Sequence, residues 1–132
     1  MMLNHKNYYF TLVIITLVWI CLGKEYYSNY APIVLCFFGF PVYVFLYFKH
    51  LGAFSDKLRT RDFNLFKKYC AHAGYFKDEM IHSFNLFNNS DFEKLTDQEL
   101  LEHYQLAKSS VKYALLIFVT FPAITILLIL IQ

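Results

Sequence analysis

Three runs free of Asp, Glu, Lys, Arg and His punctuate this chain: Tyr8 to Leu22 (YYFTLVIITLVWICL), Ala31 to Phe48 (APIVLCFFGFPVYVFLYF) and Tyr113 to Ile131 (YALLIFVTFPAITILLILI). A helix rises 1.5 Å per residue and the hydrocarbon core is about 30 Å thick, so a span needs roughly 17–25 apolar residues. The second and third runs meet that length directly. The first is shorter and needs residues from the Leu3 or the Tyr26–Tyr27 side to complete it. Lys6 ahead of an apolar stretch also fits a secretory leader. Trp19, Ile20, Cys21 and Leu22 occupy the place where small cleavage-site residues belong, so the run reads as a retained span.

Between the second and third spans the pattern changes to amphipathic. Phe54, Leu58, Leu65, Phe66 and Tyr69 recur near the helical period, with Lys57, Arg59, Lys67 and Lys68 largely on other faces and Asp62 interrupting the stripe. A break at Ala71–Gly74 precedes a second predicted helix from about Asp78, with Met80, Ile81, Phe84 and Phe87 on one face, stopped by Asn88, Asn89 and Ser90. Two capping boxes follow, Ser90 with Glu93 and Thr96 with Glu99. Thr96 is the stronger start, since Asp97 and Glu99 suit the positive end of a helix dipole. No Gly or Pro follows until Pro122, so a helix from Thr96 is expected to run on through Leu100, Tyr104, Ala107, Val111 and Leu115 into the third span as a stalk.

The fold class that follows is an all-α integral membrane protein with three transmembrane helices and a small helical cytoplasmic section between the second and third. Three segments compose it: residues 1–48, a membrane hairpin (spans about 8–22 and 31–48); residues 49–95, amphipathic helices; and residues 96–132, a long helix carrying the third span (about 113–131).

Charge sets the expected orientation. Ten of the 12 Lys and Arg residues lie between Lys49 and Lys112, whereas Lys24 stands alone in the loop between the first two spans. Basic residues are retained on the cytoplasmic side, which places residues 49–112 and the amino terminus in the cytosol and Gln132 outside, in a plasma (inner) membrane. Tyr8, Tyr9, Tyr26, Tyr27, Tyr30, Tyr47 and Tyr113 fall near the span ends, where amphipathic rings suit the headgroup layer. Within the polar block, Lys49–Lys77 holds seven basic and two acidic residues and Asp78–Glu102 seven acidic and one basic. The two halves can neutralise each other, or the basic half, with Lys57, Arg59, Arg61, Lys67 and Lys68, can meet lipid headgroups or a partner.

Candidate chemistry is sparse. Pro41 with Gly39 in the second span, and Pro122 in the third, are positions for a kink or close packing. No ionisable group lies within a span to carry ions. Thr11, Thr16, Tyr43, Thr120 and Thr125 read as interhelical glue. Cys70-x-His72, with His82 and His103, is the nearest approach to a soft metal set, but it lacks the paired spacings of structural zinc sites. His5 and His50 lie near the cytoplasmic ends of spans rather than within them, so no haem site is expected. Cys21, Cys36 and Cys70 give no disulfide framework. Phosphate-cradling loops, nucleophile elbows and HExxH are absent from the sequence. No catalytic residue, cofactor or metal is therefore predicted, and a net charge of +2, most of it in the topology signal, gives no nucleic-acid role.

The segments LRTRDFNLFKKY and FEKLTDQELLEHYQLAKSSVKYALLIF resemble small bacterial inner-membrane proteins of the universal stress protein B type, which also place a short helical cytoplasmic section between two spans. The resemblance covers about the last 80 residues, and this chain adds a second span ahead of the block. It implies membrane location and an association with stress survival, and it carries no catalytic residues over. The expected role is that of a non-enzymatic accessory or interaction subunit of a larger membrane complex. The alternative is a homo-oligomeric permeation or lipid-handling protein with Pro41 and Pro122 lining an opening.

Overall fold

The computed structural model describes residues 4–23 and 25–131. Lys24, Gln132 and Leu3, which carry parts of the orientation and span arguments, lie outside the described residues, as does the side chain of Tyr26. The order is α1 (His5–Leu22), α2 (Glu25–Ser28), α3 (Ala31–Arg61), α4 (Phe63–Tyr69), α5 (Ser83–Asn88), a 3-10 turn (Phe92–Lys94) and α6 (Gln98–Ile131). The described residues form no strand beyond one isolated antiparallel bridge, Cys70 to Ile81. Three of the helices, α1, α3 and α6, are long and apolar enough to cross a membrane.

The chain divides into two compact units: residues up to Val44 together with those from Ser110 onward, and Phe45–Ser109. The first unit contains the apolar parts of α1, α3 and α6. Helix α1 gains its extra turn at the amino end, where the Asn4 side chain accepts from the Asn7 amide, so it begins at His5 rather than Tyr8 and spans 18 residues. Tyr43 is fully buried, donates from its hydroxyl to the His5 carbonyl (2.6 Å) and stacks on Tyr113, with Tyr8 edge-on. Tyr9 bonds Thr120, whose hydroxyl also reaches the Leu116 carbonyl one turn back (2.7 Å). Thr16 and Thr125 bond carbonyls of their own helices, Leu12 and Phe121. Gly39 sits where a side chain would not fit: a Cβ there would lie 2.3 Å from the Ile117 Cδ1 and 3.4 Å from Leu12. Its missing side chain lets three helices meet. Pro41 and Pro122 both lie inside helices and on their exposed faces.

The second unit has its own core. Leu51, Phe54 and Leu58 of α3, Phe66 of α4, Leu86 of α5, and Leu100, Tyr104 and Ala107 of α6 are buried, at helical spacing within each element. Phe92 is at the centre: its ring meets Phe54 (5.3 Å, perpendicular), Tyr69 (5.1 Å) and Tyr104 (5.8 Å). Edge-to-face pairs of this kind add about 0.5–1.5 kcal/mol each beyond area burial.

Helix α3 continues past its apolar run to Arg61, and Asp62 then caps α4 by accepting from the Leu65 amide (3.0 Å). Three local expectations change. The helix expected from Asp78 starts only at Ser83. Residues 71–82 instead form a loop, because Asp78 and Gly74 take left-handed backbone conformations (φ 59° and 87°) and Ile81 is drawn into the bridge with Cys70. The cap of α6 is Asp97 rather than Thr96: its carboxylate accepts from the Glu99 (3.0 Å) and Leu100 (3.2 Å) amides. An ionised acceptor outcompetes a hydroxyl at the positive end of a helix. At Ser90 no capping box forms; Asn89 accepts from the Asp91 amide, and Glu93 reaches Lys108.

Candidate functional site: a Cys-His-Asp cluster beside a basic cleft

Loop 71–82 owes its shape to bonds at both of its ends. The Ala71 amide donates to the Met80 carbonyl (2.8 Å), His82 to Tyr69 (3.0 Å) and Asp78 to Ala71 (2.6 Å). In the Cys70–Ile81 bridge the Ile81 amide does not bond Cys70, and it donates instead to the Ser55 hydroxyl of α3 (2.9 Å). Ser55 and Ile81 are both buried, so this bond fastens the loop to the core from the inside.

The turn returns Asp78 to Cys70. The Asp78 Oδ1 lies 3.2 Å from the His72 Nδ1 and 3.9 Å from the Cys70 Sγ, and the sulfur lies 3.8 Å from the same imidazole nitrogen. Cys70 is buried, whereas the side chains of His72 and Asp78 are exposed. The thiol also reaches back to the Lys67 carbonyl (3.6 Å). Burial, then the neighbouring Asp78 carboxylate, pushes the thiol pKa up. A raised thiol pKa is opposite to what a cysteine nucleophile needs. All three groups touch one another, with the sulfur 3.8 and 3.9 Å from the two imidazole nitrogens, so the cluster is a closed triangle rather than a linear nucleophile–base–orienter relay. The arrangement offers one sulfur, one nitrogen and one oxygen donor converging on a common point.

Beside it lies an open cleft of about 470 Å³ lined by Arg59, Phe63, Phe66, Lys67, Cys70 and Asp78. Of the five basic residues singled out in the sequence, Arg59 and Lys67 thus line this cleft. The other three meet acidic side chains of the same unit. Lys57 pairs with Glu99, Arg61 with both Asp97 and Glu99, and Lys68 with Asp91 (3.1 Å), which also accepts from the Tyr69 hydroxyl (2.6 Å). Lys108 and Glu93 form a further pair (2.9 Å). The bond from Arg61 lowers the Asp97 pKa, Lys57 and then Arg61 lower that of Glu99, and the Tyr69 hydroxyl and Lys68 lower that of Asp91.

The other histidines of the sequence-derived metal set are engaged elsewhere. His82 accepts from the Phe84 amide at the start of α5 (3.2 Å), and His103 lies against His50 with ring centroids 5.9 Å apart. His5 is buried edge-on to Tyr43. Cys21, Cys36 and Cys70 are free thiols. Sequence reasoning named Cys70 and His72 but missed Asp78, eight positions from the cysteine, and Ser55, which anchors the loop. A Gly-containing turn followed by Asp was the available signal for the first; the second had none. The chain matches no known protein-family model, no curated protein and no solved structure.

Proposed function

We propose that this protein is a three-span integral membrane protein that acts without catalysing a reaction, as an accessory subunit whose polar unit docks onto a larger membrane complex. The observation that carries this reading is the surface of the polar unit. Phe63, Tyr75, Phe76, Phe84 and Phe87 are exposed there, outside every apolar run, while Lys57, Arg61, Lys68 and Lys108 are taken by acidic partners. Several exposed aromatics on a unit of balanced charge suit a protein interface, where aromatic anchors dominate the energy. They suit nucleic acid poorly, which needs a free basic surface.

The distribution of Lys and Arg supports a cytoplasmic polar unit and a cytoplasmic amino terminus, in a plasma (inner) membrane. The resemblance to the universal stress protein B type adds a bacterial inner membrane and an association with stress survival. The lipid bilayer is the second partner, since α1, α3 and α6 present Ile14, Phe37, Phe45, Val119 and Ile129 on exposed faces.

Gentle detergent extraction of the native protein, followed by sizing and mass spectrometry of the co-migrating material, tests the proposal. A defined larger complex is expected, and the triple variant Phe63→Ser, Phe84→Ser, Phe87→Ser is expected to leave it while keeping its helix content. A homogeneous self-oligomer would overturn the accessory reading in favour of permeation or lipid handling, with Pro41 and Pro122 lining an opening. A stable monomer without companions would overturn both.

A further inference from the structure

We propose that Cys70, His72 and Asp78 form a binding site for one zinc ion, with the fourth coordination position open. The argument is geometric. With Zn–S of about 2.3 Å and Zn–N and Zn–O of about 2.0–2.1 Å at tetrahedral angles, the donor–donor edges are about 3.5 Å for S–N and S–O and about 3.3 Å for N–O. The corresponding separations here are 3.8 Å (Cys70 Sγ to His72 Nδ1), 3.9 Å (Cys70 Sγ to Asp78 Oδ1) and 3.2 Å (His72 Nδ1 to Asp78 Oδ1). All three edges are within a few tenths of an ångström of a coordinated set.

The frame that holds these donors is built from backbone bonds across the bridge and one buried side-chain bond. Cys70 closes α4, its neighbours pair across the bridge to Met80 and His82, and the Ser55 hydroxyl secures Ile81 from beneath. Asp78 holds a left-handed backbone (φ 59°), a conformation that is strained for most side-chain-bearing residues and that Asp tolerates better than most. Its Oδ1 is the point on which the thiol and the imidazole both converge. A single cation there replaces the thiol proton, which leaves to solvent, and takes the imidazole lone pair and one carboxylate oxygen. Zn²⁺ with one thiolate and one carboxylate is formally neutral, so Arg59 and Lys67 on the adjoining cleft do not oppose the filled site.

The donor set selects the metal. Thiolate and imidazole favour zinc over magnesium and calcium, which take oxygen donors. Three protein ligands leave a vacancy for water or for a donor from a second molecule. With His72 and Asp78 exposed, that vacancy faces solvent and the ion is exchangeable.

The test uses the full chain in detergent, in a Cys21→Ser, Cys36→Ser background so that Cys70 supplies the only thiol, titrated with Co²⁺ as a spectroscopic stand-in for Zn²⁺. One equivalent is expected to give a thiolate-to-cobalt charge-transfer band with intense tetrahedral visible bands, erased by Zn²⁺ and unaffected by excess Mg²⁺. Cys70→Ser is expected to lose the band. His72→Gln and Asp78→Asn, both at exposed side chains and therefore compatible with the fold, are each expected to weaken binding at least ten-fold, with helix content checked by circular dichroism. The site is overturned if the background chain gives no charge-transfer band, if the band survives in Cys70→Ser, if Mg²⁺ displaces cobalt, or if either His72→Gln or Asp78→Asn binds as tightly as the background.

Discussion

Ser55→Ala isolates the bond that fastens loop 71–82 to the core of the polar unit. Ser55 is 0% and Ile81 1% exposed, and the hydroxyl oxygen is 2.9 Å from the Ile81 amide. Removing the hydroxyl leaves that N–H buried without an acceptor, a loss of about 1–3 kcal/mol. Two opposing terms are small. Alanine is a better helix former than serine by about 0.5 kcal/mol, and the deleted atom leaves too little space for a water to substitute. The net destabilisation of the loop is about 0.5–2.5 kcal/mol, which is a roughly two- to sixty-fold rise in the open population. Hydrogen exchange of the purified chain in detergent reads this directly. The Ile81 amide is expected to exchange faster by that factor, together with Ala71 and Asp78, whose amides bond within the same loop. Amides of Tyr104 and Ala107 in α6 serve as controls and are expected to remain unchanged. Unchanged exchange at Ile81 in a folded variant would refute the claim that Ser55 sets the loop. Because this loop returns Asp78 to Cys70, the same variant is also expected to weaken cobalt binding.

Three further outcomes follow from the packing and the charges. Phe92→Ala removes the ring shared by Phe54, Tyr69 and Tyr104 and is expected to cost about 3–5 kcal/mol, read as loss of protection throughout residues 45–109 with the spans still protected. Gly39→Ala is expected to destabilise the span packing by about 1–3 kcal/mol in a denaturing-detergent titration. Adding Ile117→Val, which removes the methyl 2.3 Å from the new Cβ, is expected to restore at least half of it, and strict additivity would refute the contact. Asp91, Asp97 and Glu99 have folded-state pKa values below their ordinary values of 3.8, 3.8 and 4.5. Their contribution is therefore present at neutral pH and lost as pH falls below those ordinary values and through the lowered folded ones. Arg61→Gln is expected to raise the Asp97 and Glu99 pKa values towards ordinary, measured by carboxylate titration in NMR, and the shift is expected to shrink at high salt because these pairs are exposed.

What the sequence determined by itself is the part of the protein that depends on local composition. Uncharged runs long enough to cross a bilayer are a property of consecutive residues, since a helix satisfies its own backbone and needs no distant partner. Hence the all-α class and the three long apolar helices were legible without coordinates. The interruption at Asp62 was legible for the same reason, because a capping carboxylate acts on amides three residues away. The tertiary structure decided what depends on partners far along the chain. Met80, Ile81, Phe84 and Phe87 carry a helical period, yet Ile81 is committed to Cys70 and Ser55, and the segment before Ser83 is a loop. Periodicity records which residues want burial and is silent on which buried acceptor an amide will find. Gly39 was legible as a packing position, but that Ile117, on another helix, fills its place was decided by the tertiary structure. The convergence of Cys70, His72 and Asp78 is of the same kind: two of its donors are neighbours in sequence, and the third arrives through a left-handed turn that only the closed loop holds in place.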